Sequence, residues 1–206
     1  MKRIFLLTIL TLVLSLNGVA QKATRPLTLS DTLWQRLYKA LDSEDWDVAE
    51  KLSSKYMDEL SAEGTDLTLP RLRYMFLYSA AGKISAGKMS YDELEKRIKG
   101  FAGKQIFLPA RYLVQNCHVP ADFNALCKSD GAPHDIMVTS ANRAATTIHA
   151  FEYIRLKEKF DWAKTEGRIA SITGTIESIA PNPNKSHILI MRIFVIDAVI
   201  EIKGLP

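Results

Sequence analysis

The spacing of apolar residues changes once along this chain, near residue 104. From residue 30 to 103, apolar side chains recur every three or four positions, which is typical of helices with one buried face. From residue 104 to 206, they alternate with polar side chains or form short continuous runs, which favours β-strands. The pattern therefore predicts an α+β protein in two parts, with helices over 30–103 and strands over 104–206.

Capping and stop residues divide the first part into four predicted helices, paired as antiparallel hairpins. Ser30 is the expected cap of the first helix, whose buried face includes Tyr38. Pro70 fits the first turn of the third helix, because its missing N–H has no partner there. Gly82 is expected in the connection to a fourth helix, which the residues from Ser90 to Glu93 open as a capping box.

Five strands and one short helix are predicted in the second part. The strands are expected at 106–114, 136–139, 146–156, 168–180 and 187–202, with the helix over 157–166. Pro109, inside the first of them, indicates a bulge or an edge position. The alternative is that 141–162 forms one long helix, which would replace the barrel described below by another α+β arrangement.

The helical part has a sequence resemblance to a known repeat. The residues from Leu37 to Leu41, followed by those from Asp45 to Glu50, resemble a tetratricopeptide hairpin. In that repeat, an aromatic and a small residue after the turn lock two helices together. The repeat's Gly and Pro positions are not matched, and two units are fewer than the ~3 that a free-standing array needs. The resemblance implies tetratricopeptide-like hairpins that rest against another part of the chain.

The strand-rich part resembles an OB-fold, a small closed β-barrel. The resemblance is carried by Phe160, Trp162 and the residues from Gly167 to Ile179. In many bacterial OB-like domains a glycine, here Gly174, lets a long strand bend and serve both sides of the barrel. The resemblance implies the order β-β-β-α-β-β over 104–206, with the short helix plugging one end.

The N-terminus predicts export from the cytoplasm. A short positive stretch precedes an apolar run from Ile4 to Leu16, which falls short of the ~20 residues that span a bilayer. Gly18 and Ala20 then place small residues at the −3 and −1 positions of a cleavage site. We expect a signal peptide over 1–20, a polar lead over 21–29 and a periplasmic or extracellular protein with no later span. An uncleaved anchor is the alternative.

Cleavage would also change the charge of the protein. Loss of Lys2 and Arg3 lowers the formal net charge from +4 to +2. Such a small charge provides no general attraction for nucleic acid, and we expect no nucleic-acid partner.

The chain has two cysteines, Cys117 and Cys127. An even number in an oxidising compartment favours a disulfide, and closing the loop between them would contribute about 3 kcal/mol. Two buried free thiols are the alternative. Together with His118 they would supply only three ligands, so no metal site is expected.

The sequence contains no recognisable catalytic constellation. Neither a G-x-S-x-G elbow nor an H-E-x-x-H motif is present. The residues from Gly82 to Lys88 fit G-x-x-x-x-G-K, yet Met89 stands where that motif needs Ser or Thr to reach magnesium. We expect no enzyme and no cofactor. An enzyme with an unfamiliar site would need a pocket that gathers His134 or His149 with carboxylates.

Five residues are candidates for ligand binding on one face of the barrel. Phe151, Tyr153 and Arg155 share a face of one predicted strand, and Tyr112 and Arg192 lie on other strands. OB-fold domains often bind through such aromatic and cationic side chains. The alternative is that Phe151 and Tyr153 pack against the helices.

These features predict a secreted, non-enzymatic interaction protein that binds a protein or peptide in the cell envelope. A module that binds a small molecule or a glycan through the barrel face is the alternative.

Overall fold

A computed structural model describes residues 30–60, 66–118, 122–130 and 133–203 of the chain. The predicted signal peptide and the polar lead that follows it lie outside these residues. Within them, no helix combines the length and the apolar character that crossing a membrane requires.

Four helices occupy the first half of the described chain. They are α1 (Asp31–Asp42), α2 (Trp46–Glu59), α3 (Thr68–Ser85) and α4 (Tyr91–Ile98). The cap predicted at Ser90 is confirmed, because the Ser90 hydroxyl accepts a hydrogen bond of 3.1 Å from the backbone N–H of Glu93, which is the serine half of the predicted capping box.

Six strands follow and close into one barrel. They are β1 (Gln105–Val114), β2 (Leu126–Lys128), β3 (Ile136–Ala141), β4 (Ile148–Leu156), β5 (Ile169–Pro181) and β6 (Leu189–Ile202). Around the barrel the order is β1-β2-β3-β4-β6-β5, and β5 pairs back with β1. The β4–β6 and β1–β2 pairs are parallel, and the others are antiparallel. The predicted α+β class with a small barrel is therefore confirmed.

The alternative of one long helix over 141–162 is wrong. Residues 148–156 form β4, which pairs with β3 on one side and β6 on the other. Alternate residues of β4 are buried in the barrel, including Ala150, Glu152 and Ile154. That period of two is the period of a strand and not of a helix.

The short helix predicted over 157–166 is also wrong, since only a three-residue 3₁₀ turn forms at Trp162–Lys164. Phe160 and Trp162 both pack against the barrel core. An α-helix cannot place residues two apart on the same face, so this packing favours the irregular conformation. The three-residue strand β2 was not predicted, because so short a run leaves no periodic signal.

Helix α3 links the two halves, and its length differs from the prediction. It continues through Gly82, which was expected in a loop, and ends at Ser85. Any side chain at Gly82 would collide with the indole of Trp46 on α2. The missing side chain therefore lets α2 approach α3 closely. Residues of α3 such as Leu77 and Ile84 belong to the same buried core as the barrel interior.

A disulfide joins Cys117 to Cys127, with their Cα atoms 5.7 Å apart. It ties the chain beyond the end of β1 to the short strand β2. Because β2 has only three residues, this covalent link holds the segment where hydrogen bonds to neighbouring strands are few.

Candidate binding groove

A groove of about 540 Å³ opens between α1, α3 and β1. Leu41 lines it from α1, Met75 from α3, and Pro109 from β1. Its volume falls within the roughly 300–1,000 Å³ that is usual for ligand sites. The groove is a candidate site because it lies where the helices and the barrel meet.

Aromatic side chains dominate the groove. They are Tyr38, Tyr74, Tyr78, Phe107, Tyr112 and Phe123. Tyr38 is 44% exposed and Tyr112 is 60% exposed, although both are large and partly apolar. The prediction that Tyr38 is buried is therefore wrong: the α1 face that carries it borders the groove.

The floor of the groove leads to a buried polar cluster, formed by Tyr74, Arg111, Ser140 and Glu152. The Arg111 guanidinium donates to the hydroxyls of Tyr74 and Ser140, the latter at 2.9 Å. Its Nη1 lies 3.4 Å from Glu152 Oε2. Ser140 in turn lies 2.7 Å from Oε1 of Glu152. Arg111 and Tyr74 line the groove, whereas Glu152 lies in the barrel interior.

A β-bulge brings Arg111 to this position. The register of β1 against β5 shifts between Leu108 and Arg111, and Pro109 lies in the shift. The prediction of an irregularity at Pro109 is confirmed. Leu108 and Leu113 are both fully buried, an odd number of residues apart. Strict alternation would place these two leucines on opposite faces of the strand. The bulge shifts the alternation by one residue, and Arg111 therefore points inward.

Burial sets the ionisation of the cluster. It raises the pKa of the Glu152 carboxyl, against the opposing pull of the Arg111 guanidinium. Burial likewise raises the pKa of Tyr74, and that of Tyr78 to about 12. Both phenols are therefore neutral hydrogen-bonding groups across the physiological range.

Beside the groove lies a second contact between α3 and the barrel, which we call the junction: Trp46, Tyr78, Gly82 and His149. The His149 ring centre is 5.1 Å from that of Trp46 and 4.4 Å from that of Tyr78. Its Nδ1 has no hydrogen-bond partner among the described residues. Burial lowers the pKa of His149 to about 4. The imidazole is therefore a neutral packing group near pH 7.

The five residues predicted to bind ligand fall into two places. Tyr112 borders the groove on β1. Phe151, Tyr153 and Arg155 lie on β4, and Arg192 lies on the adjoining strand β6. Since β1 is bonded to neither β4 nor β6, the structure does not assemble all five on one continuous face.

On the outside of β4 and β6, the structure forms an aromatic patch of Phe151, Tyr153 and Phe194. Tyr153 stacks on Phe194 with 5.1 Å between ring centres. All three rings of the patch are half-buried. Arg192 is exposed and lies in register with Phe151. The Arg155 Nε donates to the carbonyl of Pro133 at 2.8 Å.

Sequence reasoning missed Arg71 and Phe107 of the groove and the polar cluster at its floor. One signal was present: Glu152 is the only charged residue in the apolar alternation Ile148, Ala150, Glu152, Ile154. A carboxylate on a buried face needs a partner. The partner could not be found from the sequence, because the bulge in β1 decides which way Arg111 points.

No set of three or more histidine, cysteine, aspartate or glutamate side chains is arranged to hold a metal ion in the ranges described above. Comparisons of the chain with protein-family models, with curated proteins and with solved structures found no match.

Proposed function

We propose that this chain is an exported, non-enzymatic binding protein of the cell envelope, and that its groove holds a segment of a protein or peptide. The observation that carries the proposal is the pair of tyrosines, Tyr38 and Tyr112, which remain exposed beside a largely apolar groove. Tyrosine is enriched at protein interfaces, since it offers a large contact area with few rotatable bonds.

The dimensions of the groove support a short peptide segment. Lining residues of α3 extend from Arg71 to Tyr78, which is about 10 Å at 1.5 Å per residue. An extended chain advances about 3.3 Å per residue, so roughly three ligand residues fit along this length.

The polar groups at the floor support binding rather than catalysis. Arg111, Ser140 and Glu152 are hydrogen-bonded to one another and to Tyr74. Ser140 is paired with a carboxylate and an arginine, and no histidine of the described segments is bonded to it. The Ser140 hydroxyl is also fully buried and does not line the groove, so a ligand held there does not reach it.

The finer architecture is part of the proposal. Packing of Trp46 on Gly82, together with the fully buried Ala49, is consistent with tetratricopeptide-like hairpins. An OB-like barrel is supported by the 3₁₀ turn that separates β4 from β5. Export is supported by the sequence of residues 1–20 and by the disulfide, which is typical of oxidising compartments.

Selection of peptides provides the test. The purified protein would be presented with a displayed library of random 12-residue peptides, and the selected peptides measured by fluorescence anisotropy. We expect Tyr112→Ser to weaken binding by about ten-fold or more. Val199→Ser is the matched control, since Val199 is 56% exposed on β6 and does not line the groove. Failure to select any peptide, or equal losses in both variants, would contradict the proposal.

A glycan or small molecule on the outer aromatic patch is the second candidate function. The stacked rings of Tyr153 and Phe194, flanked by the exposed Arg192, provide a flat apolar surface beside a cation. Thermal unfolding with N-acetylglucosamine oligomers is expected to show a rise in Tm that Tyr153→Ala abolishes. An unchanged Tm across these oligomers would remove this candidate.

A further inference from the structure

Arg71 differs from the other arginine of the groove, Arg111, because no described residue forms a hydrogen bond or an ion pair with its side chain. Its guanidinium carbon lies 4.7 Å from the centre of the Phe107 ring. Its Nε is buried and has no hydrogen-bond partner in the described ranges. A buried donor without an acceptor is unfavourable, so an acceptor supplied by a ligand would be favourable beside this guanidinium.

Glu201 is close enough for the charge of Arg71 to affect its pKa, but it does not satisfy Arg71. The positive charge of Arg71 contributes to lowering the pKa of Glu201, but the largest cause is the hydrogen bond from Lys203. Lys203 Nζ lies 2.8 Å from Glu201 Oε2. Glu201 is therefore occupied by another cation, and its carboxylate does not form an ion pair with Arg71.

The second arginine of the groove is already neutralised. Arg111 is bonded to Tyr74 and Ser140 and is paired with Glu152. The groove thus combines an aromatic lining with one arginine that pairs with no carboxylate of the described residues. Arginine presents five N–H donors in a planar fork that fits a carboxylate.

An acidic residue, Asp42, and the basic Arg71 place opposite charges at different positions of the groove. Asp42 lines it from the end of α1, whereas Arg71 lines it from the first turn of α3. A ligand carboxylate is attracted by Arg71 and repelled by Asp42, so the two charges favour one orientation of the ligand over the other.

We propose that the groove recognises an acidic–apolar peptide segment: a carboxylate of the ligand binds Arg71, and an apolar side chain next to it lies against Tyr38 and Tyr112. The proposal rests on the peptide-binding function above and names the chemistry of its ligand. Stacking on Phe107 holds the guanidinium beside the apolar surface, which brings the charged and apolar parts of the ligand into adjacent positions.

The experiment compares two peptides on three proteins. The tightest peptide selected from the random library would be made with its acidic residue and with the matching Asn or Gln. Each would be titrated against the wild type, Arg71→Met and Arg192→Met, the last being an exposed arginine outside the groove. Circular dichroism and thermal unfolding check the folding of each variant, and Arg71→Gln replaces Arg71→Met if that variant is unfolded.

We expect the wild type to prefer the acidic peptide by about ten-fold or more. Arg71→Met should abolish this preference while leaving the amide peptide's affinity nearly unchanged, and Arg192→Met should retain it. Selected peptides without acidic residues would overturn the proposal, as would an equal loss for both peptides in Arg71→Met. Either result leaves peptide binding itself intact, whereas a library that yields no binder contradicts the function as well.

Discussion

Helix α3 meets the barrel along two surfaces that share a tyrosine and differ in access to water. At the junction, His149 is enclosed by Trp46 and Tyr78 and is only 1% exposed. At the groove, Tyr38 and Tyr112 face solvent across an open space. Aromatic content alone therefore does not distinguish a covered surface from an open one in this protein. The distinction lies in whether a neighbouring element covers the rings.

The physical consequence of this difference is that stability should depend on the covered surface more than on the open one. Substitutions at the junction and at the polar cluster remove contacts that exist in the free protein, so they should lower the free energy of unfolding. Substitutions at the groove's rim change side chains that are exposed in the free protein and that only a ligand would cover. They should leave that free energy nearly unchanged.

The largest effect is expected for Arg111→Met, which tests the cluster beneath the groove. Near neutral pH it should cost about 3–5 kcal/mol, because Glu152 remains buried without its cation. Burial raises the pKa of Glu152, and loss of Arg111 would raise it further. The deficit should therefore shrink as the pH falls and Glu152 binds a proton.

Urea unfolding of the wild type and Arg111→Met near pH 8 and near pH 5 measures this deficit. The double variant Arg111→Met/Glu152→Gln is the control, since it removes both charges and should recover part of the loss. An equal deficit at the two pH values would show that buried charge is not its cause.

A smaller effect is expected from acid at the junction. The folded protein holds the pKa of His149 at about 4, against 6.5 for the free side chain. Between these values the unfolded chain binds a proton that the native state excludes. Stability should thus fall as the pH drops from about 6.5 to 4, with His149 contributing about 3 kcal/mol of the loss.

The variant His149→Gln isolates this contribution, because glutamine stays neutral over the whole range. The free energy of unfolding should decline less steeply with acid in His149→Gln than in the wild type. Parallel pH profiles would mean that His149 titrates normally and is not sealed from water.

Gly82→Ala should cost about 1–3 kcal/mol, since the new methyl group meets the indole of Trp46. The sign of the effect should reverse when the ring is absent. In a Trp46→Leu background, Gly82→Ala should stabilise the helix by up to about 1 kcal/mol, the usual difference in helix propensity. Thermal unfolding of the four proteins measures both values, and a cost that persists without the indole would refute the close contact.

The smallest effect on stability is expected at the rim of the groove. Tyr112→Ser should change the free energy of unfolding by no more than about 0.5 kcal/mol, because its side chain is 60% exposed. The same variant is the one expected to weaken peptide binding. A large loss of stability in Tyr112→Ser would contradict this expectation. It would mean that the rim of the groove stabilises the fold, as the junction does.

Particular residues show how far the sequence alone could lead. The cap at Ser90 and the irregularity at Pro109 were predicted because each depends on a residue's own backbone chemistry. Gly82 was misplaced for the opposite reason. In a sequence, a glycine indicates the end of a helix. In the structure, Gly82 instead leaves room for the side chain of Trp46, which lies thirty-six positions earlier.

The candidate site was the less predictable feature. Tyr112 was identified from its residue type, but its association with Tyr38 and Arg71 was not, since these residues come from three separate elements. Phe151 and Tyr153 were correctly placed on one face of a strand, although that face is distant in strand order from β1. Residue type suggested the candidates, and proximity could not be inferred from it.

The sequence by itself determined the order of helices and strands and the α+β class, because the periods of apolar residues are local properties of the chain. Only the tertiary structure decided which surfaces α3 covers and which it leaves open. A shift of register in β1 turns Arg111 toward Glu152, and the approach of α2 seals His149 while the space beside α1 stays open. These outcomes depend on contacts between residues far apart in sequence, which no local pattern encodes.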